Sequence, residues 1–336
     1  MEEKNQVANG TSPVVKQEPK SGVVEAPKTQ AQVQTPKTQQ PQQAPKPNPA
    51  PVARPAIPAF AIVPARKRRR YLNMLVYGDY GVGKSFLIAT ASEVAEMRGV
   101  LYISAEGGDL TVEDFDIDVV SVYNYGQFAR VHEFLRLHCK FRDMYKDGDK
   151  EQKTEAKAKL IKLQSMFTGV PIEEIQEPQL YYTVCVDSLS EVQKYCMYQL
   201  LGIKIGEFAL DTEPETPQWS EWGKSAEMIR LLVRSFRDLP MNALFVCARS
   251  EEQDHQKKFH YKPLLPGKLA NEVQGFFDVV GYYIAAPTEG GEIHRRLYLE
   301  PGQTFQAKNR FRDFTDRYID NPSMADLAKY RLQPNQ

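Results

Sequence analysis

The chain has 336 residues, with 43 Lys and Arg against 43 Asp and Glu, so its formal net charge is zero. Neutral bulk charge excludes wholesale electrostatic capture of nucleic acid, and any such contact must rest on local patches. No apolar run approaches the ~20 residues of a membrane helix, and residues 1–30 lack the apolar core of a signal peptide, which points to a cytoplasmic protein with no membrane partner.

The first 64 residues hold roughly half of the 23 prolines, with many Gln, Ala, Lys and Thr and almost no aromatics. Such a segment buries too little apolar surface to offset its ordering entropy. Residues 1–64 are expected to form a disordered Pro/Gln-rich tail, whose partner the sequence does not name. Residues 65–336 are enough for one α/β domain with a full core. Its first residues include Arg66-Lys67-Arg68-Arg69-Arg70, suited to phosphate contact or targeting, or to a solvated linker. Cys139, Cys185, Cys196 and Cys247 show neither a CxxC pair nor zinc spacing. They read as buried, reduced thiols, in keeping with a reducing cytoplasm.

In chain order, Tyr71 to Tyr77 has the pattern of a buried strand and runs into a Gly-rich turn. A helix is expected from Lys84 to about Met97, stopped by Gly99. Val100 to Ser104 and Asp118 to Tyr123 read as further strands. Strand, turn, helix, strand is the start of a parallel sheet. Residues 126–168 read as helical and strongly charged, and about 141–168 as a helical insertion outside the domain. Tyr181 to Val186 is a buried strand followed by a helix, Trp219 to Leu239 an amphipathic helix, and Ala243 to Ala248 another buried strand. Ser250 to Lys262 shows no clear period and reads as a mobile loop. After a short helix near Lys268 to Phe276, Val279 to Ala285 and Ile293 to Leu299 form an antiparallel hairpin around Pro287 to Gly291. Phe305 to Lys308 reads as the last strand.

Chemistry enters at Gly78-Asp79-Tyr80-Gly81-Val82-Gly83-Lys84-Ser85, which fits G-x-x-x-x-G-K-[ST] in full. The glycines let backbone N–H groups close around phosphates, at a point where a strand ends and a helix opens. Lys84 is placed to contact the β- and γ-phosphates and Ser85 to hold Mg²⁺, with Phe86 completing the nucleotide-binding set. The expected ligand is ATP with Mg²⁺, since no N-K-x-D guanine-reading motif is present. Asp187, the first charged residue after a buried strand, suits the second metal position, and also an N-cap for the following helix. Glu106 follows the second strand, where the nucleotide crevice of a parallel sheet opens. It is the candidate base for the attacking water, with Glu191 as competitor.

A strand ending in Ala105-Glu106 after a P-loop resembles the RecA-type ATPases, whose catalytic glutamate sits at that strand end. Lys308 and Arg310, in Ala307-Lys308-Asn309-Arg310, resemble the K-x-R element of RecA-type recombinases and DnaB-type helicases. The resemblance implies that this pair reaches a neighbour's γ-phosphate, and hence a homo-oligomeric ring or filament. Alternation would put both cations on one face of a strand, where an anion from outside would relieve their repulsion. Trp219 to Gly223, Ala248-Arg249, Pro266-Gly267-Lys268, Phe277 to Val280 and the late Lys-Asn-Arg together look like phage-encoded P-loop proteins, among them small RecA-like single-strand annealing ATPases. This resemblance spans about Leu72 to Arg312. It implies a RecA-like P-loop α/β fold, mainly parallel, with helices on both faces and a C-terminal antiparallel hairpin. It also implies an ATPase acting on DNA in recombination, annealing or replication. Arg249 or Ser250 stands where such folds sense the γ-phosphate, though a structural salt bridge suits Arg249 equally. Lys257, Lys258 and His260, interleaved with aromatics, suit single-stranded DNA, while Glu251, Glu252 and Asp254 suit a solvated loop. A small-molecule phosphotransferase and a non-catalytic ATP switch are the rival readings.

Overall fold

The computed structural model describes residues 71–204, 206, 213–288, 290–311 and 314–331. The expected tail, residues 1–64, and the basic run Arg66 to Arg70 lie outside the described residues.

The elements follow the expected alternation. Strand β1 (Asn73–Gly78) leads to helix α1 (Lys84–Ala89), then β2 (Val100–Ser104) and β3 (Ile117–Ser121). Helices α2 (Tyr125–Asp147) and α3 (Lys150–Thr168) precede β4 (Thr183–Asp187) and α4 (Leu189–Leu200). Next come α5 (Trp219–Arg237), β5 (Asn242–Gln253), β6 (Phe259–Pro263) and α6 (Leu269–Glu272). The chain then forms β7 (Val279–Pro287), β8 (Ile293–Tyr298), β9 (Tyr318–Asp320) and α7 (Met324–Arg331). The strand order is β3-β2-β4-β5-β1-β7-β8-β9, with β6 paired to β5. Strands β3 through β7 along this order are parallel, and β8 and β9 add antiparallel. This is the mainly parallel α/β sheet with C-terminal antiparallel strands expected from the sequence.

Strand alternation divides the core in two. Leu75 and Tyr77 of β1 face α2, α4 and α5, where Phe128, Leu135, Val192 and Phe236 fill the interior. Met74 and Val76 face the other way, onto Leu87 and Ile88 of α1 and Leu327 of α7. With both faces covered, the central strands are apolar throughout and no alternation shows in their sequence.

The charged stretch at 141–168 divides at Gly148. Helix α2 belongs to the core, burying Phe128, Leu135, Cys139 and Arg142. Helix α3 begins with a capping box between Asp149 and Gln152 and buries only Ala156, Leu160 and Leu163. The helix expected from Lys84 to about Met97 ends at Ala89 and passes into a 3-10 helix, Thr90–Glu93. Two further expectations are corrected. Ser250 to Lys262 is a β-hairpin, because β5 runs on past its buried half and pairs with β6. Its turn is tied by Asp254 Oδ1, which accepts from Gln256 N (2.8 Å) and Lys258 N (2.9 Å). Period 2 was invisible there because neither face of the hairpin is apolar. Phe305 to Lys308 is not a strand, and makes only isolated bridges at Phe305 and Lys308. The Tyr77 hydroxyl takes the place of a ladder partner, donating to Gln306 O (2.5 Å) and accepting from Gln306 N (3.0 Å). The last strand is β9, which a three-residue run was too short to announce.

Candidate functional site

Strand β1 ends at Gly78 against the carbonyl of Tyr283 on β7, where an added Cβ would come within 2.1 Å of that oxygen. The turn then needs left-handed backbone at Gly81 (φ 75°) and Gly83 (φ 97°), which glycine adopts without steric cost. Lys84 is folded back into the loop and buried. Its Nζ donates to the carbonyls of Asp79 (2.6 Å) and Gly78 (3.2 Å). Burial lowers the Lys84 pKa, and the nearby Asp187 and Glu106 charges oppose that shift.

Two hydroxyls converge on one carboxylate oxygen. Both Ser85 Oγ and Tyr102 Oη donate to Asp187 Oδ2. Asp187 ends β4, two strands from β1, and is 5% exposed. Tyr102 comes from β2 and was not foreseen, since it looks like any other strand aromatic. Burial and the Asp187 charge push its phenol pKa up, so it stays a donor. Ser85 and Asp187 could hold a divalent cation. Two protein oxygens suit Mg²⁺, which takes phosphates and water for its other positions.

Glu106 lies just past β2, and its Oε1 accepts a hydrogen bond from Ser188 Oγ. Ser188 also receives Glu191 N at the start of α4, so the residue that caps the helix holds the glutamate. Glu191 itself pairs with Lys194 (2.7 Å) on the helix surface. Lys84, Ser85, Phe86, Glu106 and Asp187 line one open cleft of about 600 Å³. That size suits a nucleotide. Phe86 is half-exposed at the rim, edge-on to Phe115. Arg295 of β8 lines the same cleft and was also missed.

The AAA domain family AAA_24 matches residues 70–311, most of the chain. The chain belongs to this family. The match starts just before β1 and ends just after the Lys-Asn-Arg element, so the AAA domain takes in the P-loop, Glu106, Asp187 and Arg295, while Asn321 and Pro322, which also line the cleft, lie beyond it. It is a P-loop ATPase domain. No curated protein sequence is significantly similar to it. Among solved structures it is similar to the flagellar accessory protein FlaH from Methanocaldococcus jannaschii, at 11% identity and a TM-score of 0.34, over 75% of this chain and 85% of that one.

Elsewhere in the AAA domain, the structure separates residues that the sequence grouped. Lys308 and Arg310 sit at the far end of the sheet from their own P-loop. Lys308 Nζ donates to the carbonyls of Phe277 (2.9 Å) and Gln274 (3.1 Å). Arg310 pairs with Asp278 (3.2 Å), next to the start of β7, which lies beside the start of β1. Within one chain, then, Asp278 and the two carbonyls already offset the charge of this pair. At the P-loop end, Arg249 ion-pairs with Asp79 and lies 4.3 Å from the centre of the Tyr261 ring. Of the proposed DNA contacts, His260 pairs with Asp254 (2.8 Å) and Lys258 reaches Gln303 (3.2 Å). Lys257 is exposed at the turn, in left-handed backbone (φ 62°). Among the described residues no helix is long and apolar enough to cross a membrane.

Proposed function

We propose that the protein hydrolyses ATP with Mg²⁺ and couples the hydrolysis to single-stranded DNA, as an annealing, recombination or replication ATPase. The observation that carries the hydrolytic part is the convergence of Ser85 and Tyr102 on Asp187, with Lys84 and Glu106 in the same cleft. Bound Mg²⁺ would neutralise charge on the β- and γ-phosphates. Lys84 leaves its two carbonyls to meet those phosphates. Glu106, held by Ser188, orients the attacking water and takes its proton. Tyr102 fixes the rotamer of Asp187.

Tyr102→Phe tests this last role. The ring fills the same space, so the fold should persist. The Mg²⁺ concentration for half-maximal turnover should rise by about tenfold, the scale of one hydrogen bond to a charged group. An unchanged requirement in a Mg²⁺ titration at saturating ATP would assign the metal to other ligands.

Coupling to DNA is supported by the β5–β6 hairpin. Strand β5 lies beside β1, and Arg249, where its exposed half begins, grips Asp79 of the P-loop. The hairpin then carries Lys257, Lys258 and the exposed Phe259. Basic and aromatic side chains together suit a single strand, whose bases stack while its phosphates are neutralised. Assembly into a ring or filament, with Arg310 leaving Asp278 for a neighbour's phosphate, is the arrangement that the resemblance to RecA-type ATPases adds. The experiment is ATP turnover with and without single-stranded DNA at low and high salt, with Lys84→Ala as the inactive control. Turnover should rise with DNA, and the rise should fade with salt. No rise at any salt would favour a DNA-independent switch. Consumption of ATP only with a small-molecule acceptor would favour a phosphotransferase.

A further inference from the structure

Strand β8 presents two successive arginines to different surroundings. Arg296, with His294, faces Asp320 of β9, at 2.7 and 2.8 Å. Arg295 shares the opposite face with the buried Leu297, on the α1 side of the sheet. This brings Arg295 over the P-loop. Its Nε donates to the carbonyl of Val82 (3.1 Å), and a Cβ at Gly83 would lie 3.0 Å from that nitrogen. Its backbone is clamped on both sides by Asn321, which accepts from Arg295 N through Oδ1 (3.0 Å) and donates its own N–H to Arg295 O (2.7 Å). Asn321 holds this position in left-handed backbone, φ 42°, and also lines the cleft.

Arg295 contrasts with its neighbours in charge pairing. Arg249, Arg296 and Arg310 each have a carboxylate partner. Among the described residues none pairs with Arg295. Its guanidinium, which is only partly exposed, has one N–H committed to Val82, and both terminal NH₂ groups remain for an acceptor in the cleft. A guanidinium fork matches two oxygens of a phosphate. The backbone of Val82 and Gly83 belongs to the stretch that cradles the α- and β-phosphates of a P-loop nucleotide.

We propose that Arg295 is a phosphate-binding residue of this cleft, carried in by the C-terminal ribbon of the same chain, that contacts the α- and β-phosphates of the bound nucleotide. The proposal rests on the nucleotide reading of the cleft and adds a ligand from outside the P-loop. Arg295 acts on affinity for any nucleotide with a diphosphate, rather than on the γ-phosphate alone.

The test measures binding of ADP and of inorganic pyrophosphate, each with Mg²⁺, to the full chain and to Arg295→Ala, Arg295→Lys and Lys84→Ala. Arg295→Ala should weaken both ligands by about tenfold or more, the loss of a charge-assisted hydrogen bond. Arg295→Lys, which keeps the charge without the fork, should recover part of the pyrophosphate affinity. Unchanged affinity for both ligands in Arg295→Ala overturns the proposal. Weaker ADP with unchanged pyrophosphate also overturns it, and moves the contact to the ribose or base. If the alanine variant fails to fold, Arg295→Gln keeps the stem and is read by the same criteria. Failure of the nucleotide reading looks different, since the wild type and Lys84→Ala would then bind ADP equally poorly.

Discussion

Replacing Glu106 with glutamine should leave ATP bound and slow its hydrolysis by about 100-fold or more, the usual scale for a lost general base. Glutamine keeps the shape of the side chain and can still accept the Ser188 hydrogen bond through its carbonyl oxygen. It cannot take a proton from water. On the proposed reading the phosphate contacts would come from the P-loop, Lys84, Ser85 and Arg295, none of which is hydrogen-bonded or ion-paired to the Glu106 carboxylate, so affinity should stay within about threefold of wild type. Single-turnover hydrolysis beside equilibrium binding of ATP separates the two effects. Equal hydrolysis by wild type and Glu106→Gln would remove Glu106 from the chemistry. A loss found instead in Glu191→Gln would place the base on α4, despite the pairing of Glu191 with Lys194.

The second large effect is on stability. Arg142→Ala should destabilise the domain by about 3–5 kcal/mol, the cost of a cavity together with two carbonyls stripped of a donor. Arg142 is 1% exposed at the C-terminal half of α2. Its guanidinium donates to the carbonyls of Tyr181 (2.7 Å) and Pro240 (2.6 Å) and to Asp143 (2.9 Å), and lies over the Tyr182 ring. One side chain thereby joins α2 to the segments entering both β4 and β5. Its removal leaves two carbonyls without this donor and a hole between three elements. For a domain of this size the melting temperature should fall by roughly 10 °C. Arg142→Lys, which keeps the charge but not the fork, should fall by less. A melting temperature within about 2 °C of wild type for Arg142→Ala would show that water or neighbouring groups satisfy the carbonyls, and that the network adds little.

The P-loop, Asp187 and Glu106 were legible because each is a short local string with its context beside it. A buried strand precedes, a turn or helix follows, and the parallel sheet brings the strand ends together. Tyr102 and Arg295 act across the sheet, from β2 and β8, and no local string marks them. A signal for Arg295 did exist. In His294-Arg295-Arg296-Leu297 the alternation that buries Leu297 puts Arg295 on the core side. Helical spacing gave a similar sign for Arg142, which follows Leu135 and Cys139 at intervals of four and three on one face. The partners of Lys308 and Arg310 were hidden for the opposite reason. Strand alternation does not hold at Lys308 to Arg310, which is not a strand, and the partners of the pair, from Gln274 in the 3-10 helix Val273–Phe276 to Asp278, are brought close by no periodicity.

The continuity of β5 fixes a length as well as a sequence. Its first seven residues are buried in the sheet, and its last five are exposed or half-buried in the hairpin. Pairing Arg249 with Pro263, Glu251 with Tyr261 and Gln253 with Phe259 gathers one set of side chains on one face and leaves Ser250 and Glu252 on the other. One residue inserted between Ala248 and Gln253 would exchange these faces for everything beyond it. Arg249 would keep Asp79 and lose Tyr261, or keep the ring and lose the P-loop. The spacing here is therefore as restricted as core packing, although almost any single side chain in the exposed half can change. An insertion between Asp254 and Lys258 leaves the buried half of β5 in place but costs the turn the bonds that Asp254 accepts from Gln256 N and Lys258 N.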